Sequence, residues 1–513
     1  MISRRKFLRA AIAVGVTAAI SGCALTPAKE AAGVKAMNKL SNTRPNIIVV
    51  LADDMSYWDI SHFGQKEFAT PNIDRLAREG MVFTNAYASS PQCASSRAGL
   101  LTGLHMGHSP IRRNTTDVRP KLHSRPYLSD HETIADMLRC AGYTTCQVGK
   151  WHVGEPDTPG MPHLQGFEQS FTFDHSKNKR EQYAYPTRLW RNGERIDVPE
   201  NRGFKWNHPH NHYDESGQFV PGGISDPSKA IYCEDIYLKK VLEFIREPRE
   251  KPFFLYYATT LTHAEWPKEL RELKDKKAPW TIDQKRWAGQ VTHLDRSLGA
   301  IVKELKDQGM DKNTLLIFTS DNGYSAWGYS IPLRGRWEDD PVLRKKGPWD
   351  GGKFIPANGG MIVPFIAWGP GLVRTGETSR AVAHYDFKKT FAGLAGASTE
   401  KRTDGASFAA LLSGEEEKYA KRPFLYWEQG GYERNAQSVL LDERFFALRI
   451  SPDKPIQIFD IFKDPGCKKN LAADHQDLIG RAQALFLSEH GESPWYVNLT
   501  RELQKAGSRK TEE

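Results

Sequence analysis

Four runs of apolar residues, rich in β-branched and aromatic side chains, divide the first two thirds of the chain. They cover residues 45–51, 143–148, 252–258 and 314–319. A near-continuous apolar run is typical of a parallel strand that is buried on both faces of a sheet. Polar residues follow each run at its carboxyl end. In open α/β sheets that edge binds ligands, and we therefore expect these polar residues to meet at one site.

Helical periodicity occupies much of the chain between these runs. Predicted helices cover residues 70–80, 129–142, 286–309 and 386–395. Thr70 and Pro71 provide a cap and a first-turn proline for the first of them, and Ser129 begins a capping box before the second. The alternation of strands and helices predicts an α/β fold with a large, mostly parallel central sheet flanked by helices.

The pattern changes after residue 415. Short runs that are typical of antiparallel strands cover residues 424–427, 438–441, 445–450 and 457–460, and a final helix follows. They predict a smaller C-terminal antiparallel sheet with a helix. We expect four regions, which are a signal peptide (1–22), a flexible tether (23–43), a large domain that carries the site (44–415) and a small α+β domain (416–513).

The N-terminus carries a targeting segment rather than part of the fold. Arg4 and Arg5 form a twin-arginine export pattern, and the apolar run at residues 10–20 is too short to span a bilayer comfortably. The run leads to Cys23 in a pattern that looks like a bacterial lipobox. We expect an exported protein, periplasmic or at the cell surface, anchored to the membrane by a lipid on Cys23. Cleavage near Cys23 without lipidation is the alternative.

Composition and charge add further constraints. With 513 residues, of which 39% are hydrophobic and 11% aromatic, the chain has enough apolar material for more than one ordinary core. Loss of residues 1–22 removes four basic residues and no acid, so the formal charge falls from +9 to +5. No long basic block is present, and no nucleic-acid partner is expected. Besides Cys23 and Cys93, four cysteines remain whose pairing stays open, namely Cys140, Cys146, Cys233 and Cys467.

The polar residues after the four runs suit a cation and an anion together. Asp53 and Asp54 follow the first run, and adjacent carboxylates at a strand end repel unless a cation or water lies between them. Asp321 and Asn322 follow the fourth run. Hard oxygen donors without a soft ligand suit calcium or magnesium rather than zinc, although the last pair is equally typical of a turn. The second and third runs are followed by Lys150, His152 and His263.

A helix-competent stretch begins at Cys93, with Arg97 one turn later and Thr102 and Gly103 at its end. A cysteine at a helix N-terminus beside a positive charge is expected to have raised reactivity, and the free N–H groups there hold anions. Taken alone, the spacing is more typical of a buried structural cysteine. The polar residues at the other strand ends favour the chemical interpretation.

Taken together, these motifs resemble the sulfatase family. Cys93 to Arg97 is similar to the family's Cys-x-Pro-x-Arg maturation motif, although Ser95 stands where the family usually has proline or alanine. After Lys353, Asn358 replaces the glutamate that the family usually has. The order of the motifs follows that of the family over nearly the whole mature chain.

The resemblance implies an alkaline-phosphatase-like sulfatase fold and the oxidation of Cys93 to formylglycine by a maturation enzyme. It also implies one divalent cation, calcium with magnesium as the alternative. The implied ligands are Asp53, Asp54, Asp321, Asn322 and the oxidised Cys93.

For the reaction, the resemblance implies that one hydroxyl of the hydrated aldehyde attacks sulfur while Arg97 holds the hydrate. Lys150, His263 and Lys353 neutralise the sulfate, and either His263 or Lys353 protonates the leaving alcohol. His152 then removes the proton of the second hydroxyl, so that sulfate leaves and the aldehyde is restored.

The expected function is therefore hydrolysis of sulfate monoesters by a sulfuric ester hydrolase, with a sulfated carbohydrate as substrate. A phosphomonoester, phosphodiester or phosphonate hydrolase on the same fold is one alternative, and a non-catalytic surface protein that binds sulfated glycans is the other. The sequence does not specify the sugar, the position of the sulfate, exo or endo action, or the oligomeric state.

Two loops, at residues 175–230 and 327–352, are expected to form walls of the substrate cleft. The first contains His208, His210 and His212, for which a surface insertion is favoured over a metal site.

Overall fold

The computed structural model describes residues 44–114, 128, 131–173, 181–263, 282–324, 352–399, 401–429 and 435–493. The predicted signal peptide, the tether and residues 327–351 of the second loop lie outside these ranges. The described residues belong to one compact unit. None of the helices found in them is long and apolar enough to cross a lipid bilayer.

Within the described ranges the chain forms eighteen strands, numbered in chain order. They are β1 Asn46–Ala52, β2 Met81–Phe83, β3 Ala86–Tyr87, β4 Thr144–Gly149, β5 Gln169–Thr172, β6 Arg188–Arg191, β7 Glu194–Asp197, β8 His212–Tyr213, β9 Phe219–Val220, β10 Phe253–Ala258, β11 Thr314–Ser320, β12 Phe365–Trp368, β13 Gly376–Thr378, β14 Val382–Ala383, β15 Phe424–Gln429, β16 Ala436–Leu441, β17 Phe445–Arg449 and β18 Gln457–Asp460.

The same ranges contain ten α-helices. They are α1 Pro71–Glu79, α2 Cys93–Thr102, α3 Ile134–Cys140, α4 Glu181–Ala184, α5 Cys233–Arg246, α6 Ile282–Asp307, α7 Asn358–Met361, α8 Phe387–Ala395, α9 Ala409–Leu412 and α10 Gln476–Ser488.

Ten strands form one mixed sheet in the order β13-β2-β12-β11-β1-β10-β4-β5-β6-β7. The five neighbours from β11 to β5 are parallel. The four predicted apolar runs are β1, β4, β10 and β11, which lie side by side at the centre, so the large and mostly parallel sheet is confirmed. Ala52 of β1 lies opposite Ser320 of β11, and Leu51 lies opposite Ala258 of β10. The carboxyl ends of these strands are therefore level with one another.

A hydrophobic layer covers each face of this sheet. Along β1, Ile47, Val49 and Leu51 belong to one layer, whereas Ile48 and Val50 belong to the other. Helices α1, α5 and α6 contribute to the layer of Ile48, and α2, α3, α8 and α9 contribute to the layer of Ile47. This burial on both faces explains why β1 is apolar along its whole length.

The first helix is capped by a residue that the sequence did not indicate. Thr70 makes no side-chain capping bond to α1. Instead, Oδ1 of Asp295 in α6 accepts the N–H groups of Asn72 and Ile73 at 2.9 and 2.8 Å. Thr70 occupies the N-cap position and α1 begins at Pro71, as predicted. The side chain that satisfies the free donors is instead a carboxylate from a packed helix.

A capping box precedes α3. Oγ1 of Thr133 accepts the N–H of Asp136 at 3.1 Å, and Oδ2 of Asp136 accepts the N–H of Thr133 at 3.0 Å. This box begins at Thr133, and α3 begins at Ile134. The predicted box at Ser129 lies outside the described residues.

Strands β15 to β18 form a separate antiparallel sheet in sequential order, as predicted. One face, which includes Tyr426 and Val439, packs with α10. The other face, which includes Trp427 and Phe446, belongs to the same hydrophobic layer as the large sheet. Nε1 of Trp427 also donates a hydrogen bond to the carbonyl oxygen of Ala88 at 2.9 Å.

The predicted loop at residues 175–230 contains regular structure in its described part. Strands β6 and β7 form an antiparallel hairpin that extends the large sheet, and β8 pairs with β9 in a second hairpin. Tyr185, Phe204 and Phe219 belong to a small hydrophobic core of this segment. The strands escaped prediction because they are short, and because all four residues of β7 are exposed and show no alternation.

Candidate active site

Backbone hydrogen bonds continue from the central strands into the loops that follow them. The N–H of Asp53 donates to Leu261 at 2.6 Å, and the N–H of Thr262 donates to the carbonyl oxygen of Asp53 at 2.8 Å. The N–H of Asp321 donates to Ala52 at 2.9 Å. The residues after β1, β10 and β11 are therefore fixed side by side at one edge of the sheet.

Cys93 is the first residue of a helix without an exposed face. All ten residues of α2 are buried. Gly99 permits the close packing of α2 on Ser89, because an added Cβ would lie 2.5 Å from the Cβ of that serine. Oγ of Ser95 lies 2.7 Å from Oγ of Ser90. The serine at position 95 thus ties the first turn of α2 to the segment before it.

Carboxylates surround the thiol of Cys93. Its Sγ lies 3.6 Å from Oδ1 of Asp53 and 3.9 Å from Oδ1 of Asp54. Potential ligand atoms of these three residues and of Asp321 all lie within 4.8 Å of one another. Nδ2 of Asn322 donates to Oδ1 of Asp54 at 2.7 Å, whereas its buried Oδ1 has no hydrogen-bond partner. The structure therefore brings together the five predicted metal-binding residues.

Two lysines pair with two of these carboxylates. Nζ of Lys150 lies 2.5 Å from Oδ2 of Asp53, and Nζ of Lys353 lies 2.7 Å from Oδ2 of Asp54. Burial by itself raises the pKa of each carboxyl group, but the neighbouring ammonium groups outweigh it, and the pKa of both aspartates is lowered. Both aspartates are therefore ionised at neutral pH.

Arg97 links three elements around the site. Its Nε and Nη2 donate to Oδ2 of Asp321 at 2.9 and 2.7 Å, and its Nη1 donates to the carbonyl oxygen of Lys150 at 2.7 Å. These bonds join α2 to the ends of β11 and β4. The role of Arg97 as a partner of a hydrated aldehyde stays a prediction.

The unmodified thiol is not activated by its surroundings. Burial raises the pKa of the Cys93 thiol, and the nearby ammonium groups of Lys150 and Lys353 offset this only in part. The raised pKa runs against the expectation of a reactive thiol, because burial outweighs the nearby positive charges. The guanidinium of Arg97 is itself engaged by Asp321 in a buried salt bridge.

Two histidines are the partly exposed members of the site. Nε2 of His263 lies 3.7 Å from Oδ2 of Asp54, and its side chain is 30% exposed. Burial and then the charge of Lys353 lower the pKa of His263, so the imidazole is neutral at neutral pH without a ligand. His152 is half-buried and has a φ of +66°.

Tyr183 belongs to the site although no sequence signal pointed to it. Its ring stacks on the imidazole of His263, with centroids 4.9 Å apart and planes at 19°. The ammonium of Lys150 lies 5.3 Å from the centroid of the same ring. Tyr183 lies in the segment that lacks clear periodicity, so only the folded chain brings it to His263.

A second cluster of metal-type side chains lies after α2. His105, His108 and Asp404 approach one another closely, and Oε2 of Glu489 lies 3.1 Å from Nε2 of His105. Nδ1 of His105 accepts the N–H of Gly107 at 3.1 Å, so in the neutral ring Nε2 carries the proton and faces the carboxylates as a donor. The cluster is therefore a hydrogen-bonded junction between the loop after α2 and the end of α10.

The three predicted histidines of the insertion belong to neither cluster. Among the described residues, His208, His210 and His212 are not brought together with other metal-type ligands. Nδ1 of His208 accepts the N–H of His210 at 3.2 Å instead, which agrees with the preferred surface interpretation.

The cluster of charged side chains lies at the carboxyl edge of a mostly parallel sheet, the edge at which α/β enzymes bind their ligands. A model of the sulfatase family matches residues 45–397. The chain belongs to the sulfatase family, and it is a sulfuric ester hydrolase.

Several known proteins are similar to the chain over most of its length. Human N-acetylgalactosamine-6-sulfatase is 32% identical over 397 residues, which cover 75% of this chain and 68% of the relative. N-acetylgalactosamine-6-O-sulfatase of Bacteroides thetaiotaomicron is 27% identical over 507 residues, which cover 88% and 94%. The crystal structure of Ps i-CgsB with k-i-k-neocarrahexaose shares the fold, with a TM-score of 0.69 at 24% identity over 90% of this chain and 97% of that chain.

Proposed function

We propose that this sulfatase hydrolyses sulfate monoesters of a sulfated carbohydrate at the edge of the sheet where Cys93 lies. One observation carries the proposal, namely that Sγ of Cys93 lies within 3.9 Å of Asp53 and Asp54, each of which pairs with a lysine. This places a modifiable residue between groups that suit a cation and groups that suit an anion. The names of the two N-acetylgalactosamine sulfatases refer to a sulfated sugar, which supports a carbohydrate substrate.

A divalent cation fits the donors at this edge. Asp53, Asp54, Asp321 and Asn322 offer oxygen ligands, and Oδ1 of Asn322 is a buried acceptor without a donor. Such an orphaned acceptor is costly unless a ligand satisfies it, and an all-oxygen set favours calcium, or magnesium, over zinc. When bound, the cation polarises the sulfate oxygens.

The proposed nucleophile is formylglycine at position 93. The raised pKa of the Cys93 thiol leaves little thiolate at neutral pH, and a thiol that took up the sulfuryl group would have no easy way to release it. When formed, the hydrated aldehyde supplies one hydroxyl for attack and a second whose deprotonation expels sulfate. The need to release sulfate therefore supports the modified residue rather than the cysteine as the reacting group.

The side chains around position 93 bind the sulfate and move protons. Lys150 and Lys353, whose ammonium groups lie 2.5 and 2.7 Å from Asp53 and Asp54, would also attract the sulfate. The negative charge of a bound sulfate raises the pKa of His263 and favours the imidazolium, which then donates its proton to the leaving alcohol. Lys353 is the alternative donor, and His152 is the proposed base for the second hydroxyl.

We also propose that the mature protein is exported and anchored to a membrane by a lipid on Cys23. The twin-arginine pattern at Arg4 and Arg5 and the lipobox-like sequence before Cys23 support this location. A sulfatase held at the cell surface has direct access to polymeric substrates.

Peptide mass spectrometry of natively produced protein, combined with desulfation assays on defined sulfated sugars, tests the proposed chemistry. We expect formylglycine at position 93, turnover of at least one sugar, and a loss of about 10⁴-fold or more in kcat for Cys93→Ala. Cys146→Ala is the matched control, because Cys146 is also a buried free thiol but lies within β4.

Three outcomes would contradict parts of this proposal. Active protein with an unmodified Cys93 would refute the formylglycine mechanism. Higher efficiency on aryl phosphate than on aryl sulfate would favour the phosphoester alternative. An unmodified and inactive protein that still binds sulfated glycans would favour the binding alternative.

A further inference from the structure

Glu234 is a fully buried carboxylate that lies outside the cluster around Cys93. It is the second residue of α5 and accepts four hydrogen bonds from neutral donors. The donors are N and Oγ1 of Thr260, at 2.7 and 2.5 Å, Oγ1 of Thr259 at 2.7 Å and the hydroxyl of Tyr257 at 3.0 Å. Four donors fill the acceptor sites of one buried acidic side chain and tie it to the segment after β10.

These donors belong to the segment that ends in His263. Tyr257 lies in β10, and Thr259 and Thr260 follow it directly. Oγ1 of Thr259 also accepts the N–H of Leu261 at 3.1 Å. Glu234 therefore fixes the first half of the connection between β10 and His263.

The second half of the connection is fixed to the carboxylate cluster. Leu261 accepts the N–H of Asp53, and Thr262 donates its N–H back to Asp53. The segment 259–262 is thus held by Glu234 on one side and by Asp53 on the other. His263 follows this segment directly, with its Nε2 3.7 Å from Oδ2 of Asp54.

The same junction also holds the ring that stacks on His263. The thiol of Cys233 donates to the carbonyl oxygen of Tyr183 at 2.8 Å, and Oγ1 of Thr260 lies 3.3 Å from that oxygen. The backbone of Tyr183 is therefore bound to the first turn of α5, next to Glu234. One face of the imidazole is defined by this ring.

We propose that Glu234 is a positioning residue for His263, which it holds in the place from which the imidazole protonates the leaving alcohol. Glu234 acts through Thr259 and Thr260 on the backbone of His263 and, at the same junction, on the stacked ring of Tyr183. The inference rests on the proposed role of His263. A misplacement of about 1 Å at a catalytic group costs on the order of 10²-fold in rate, so four hydrogen bonds at this junction have a direct catalytic use.

Two substrates separate positioning from general damage. The alkoxide of a sugar is a poor leaving group and must be protonated as it departs. The 4-nitrophenolate of 4-nitrophenyl sulfate is stable and departs without a proton. For Glu234→Ala we expect kcat on the sugar sulfate to fall by about 10²-fold, the typical contribution of general acid catalysis. We expect a much smaller loss on 4-nitrophenyl sulfate and little change in KM, because Lys150 and Lys353 are untouched.

Glu234→Gln provides the conservative rescue. Its amide oxygen accepts from Thr260 as the carboxylate does, and its amide NH₂ donates to the hydroxyls of Tyr257 and Thr259, which can turn to accept. We expect this variant to keep most of the activity on both substrates. Thr259→Val is the second variant if Glu234→Ala does not fold. It is isosteric but loses the hydroxyl that donates to Glu234 and accepts from Leu261. It should show the same dependence on substrate, with smaller changes.

Asp295→Ala is the matched control for loss of a buried carboxylate. Asp295 also accepts neutral donors, but these belong to Asn72 and Ile73 of α1. It should lower thermal stability without changing the ratio of activities on the two substrates. Equal losses on both substrates for Glu234→Ala, with the same ratio as in the control, would overturn the inference.

Hydrogen–deuterium exchange gives a test that does not depend on turnover. In Glu234→Ala, the amides of residues 259–263 should exchange faster than in the wild type, and in Asp295→Ala they should not. Unchanged exchange in this segment would overturn the inference, whether or not the wild type is active. A wild type that hydrolyses no sulfate ester would instead refute the proposed function.

Discussion

At the scale of residues, ion pairing makes it possible for three buried carboxylates to share one site. Every partner was identified from the sequence as a site residue, because it follows a strand end or lies in a family motif. The pairing itself was not predictable, since the partners lie 97, 299 and 224 residues apart and meet only through the strand order. The pairs are Asp53 with Lys150, Asp54 with Lys353 and Asp321 with Arg97.

Tyr183 and Glu234 show where residue-level prediction fails. Neither lies in a motif or at the end of a predicted strand, and each meets the segment that ends in His263 only in the folded chain. Residues that position a catalytic group through the backbone leave no characteristic spacing in the sequence.

The free Oδ1 of Asn322 leads to a prediction about cation binding. Asn322→Ala should weaken calcium binding by at least about tenfold, a loss typical even of partners outside the ligand shell. A calcium titration of activity after chelation and dialysis measures this shift. Asn46→Ala is the matched control, because Asn46 is a buried asparagine at the opposite end of β1, where it contacts Thr314 and Phe253. Full activity after exhaustive chelation would show that the site does not use a cation.

At the scale of elements, sequence patterns located the central strands to within a residue or two. They succeeded because burial on both faces leaves little choice of residue type along β1, β4, β10 and β11. They failed for the exposed strand β7 and for the cap of α1, where a side chain from α6 replaces a local cap. Local patterns record local constraints, whereas these two features depend on neighbours that lie far away in the sequence.

The C-terminal sheet gives a prediction at this scale. Because Trp427 and Phe446 lie in the hydrophobic layer of the large sheet, a chain that ends at residue 415 would expose part of that layer. We expect the truncated chain to aggregate or to lack a cooperative thermal transition, as judged by soluble yield and near-ultraviolet circular dichroism beside the full-length protein. A truncated chain that is soluble and unfolds cooperatively would show that the region before 416 is an independent domain.

At the scale of the whole molecule, the proposed location depends on residues outside the described fold. Cys23→Ala should move the protein from the membrane fraction to the soluble fraction, because the lipid on Cys23 would be the anchor. Ultracentrifugation of cell lysates measures the distribution, with Cys146→Ala as the control that should stay in the membrane fraction. Identical fractionation of Cys23→Ala and the wild type would contradict the anchor.

Cys93 is only 1% exposed. Its helix α2 is held in place by Arg97, whose partner Asp321 lies 224 residues later in the chain and is therefore synthesised later. The maturation enzyme that we propose would therefore have to act on Cys93 before the central strands join. A molecule that folds first keeps its thiol for as long as it stays folded. Under that proposal, the active fraction would be set by a race between oxidation and folding, and slower folding would give more active enzyme from the same number of chains.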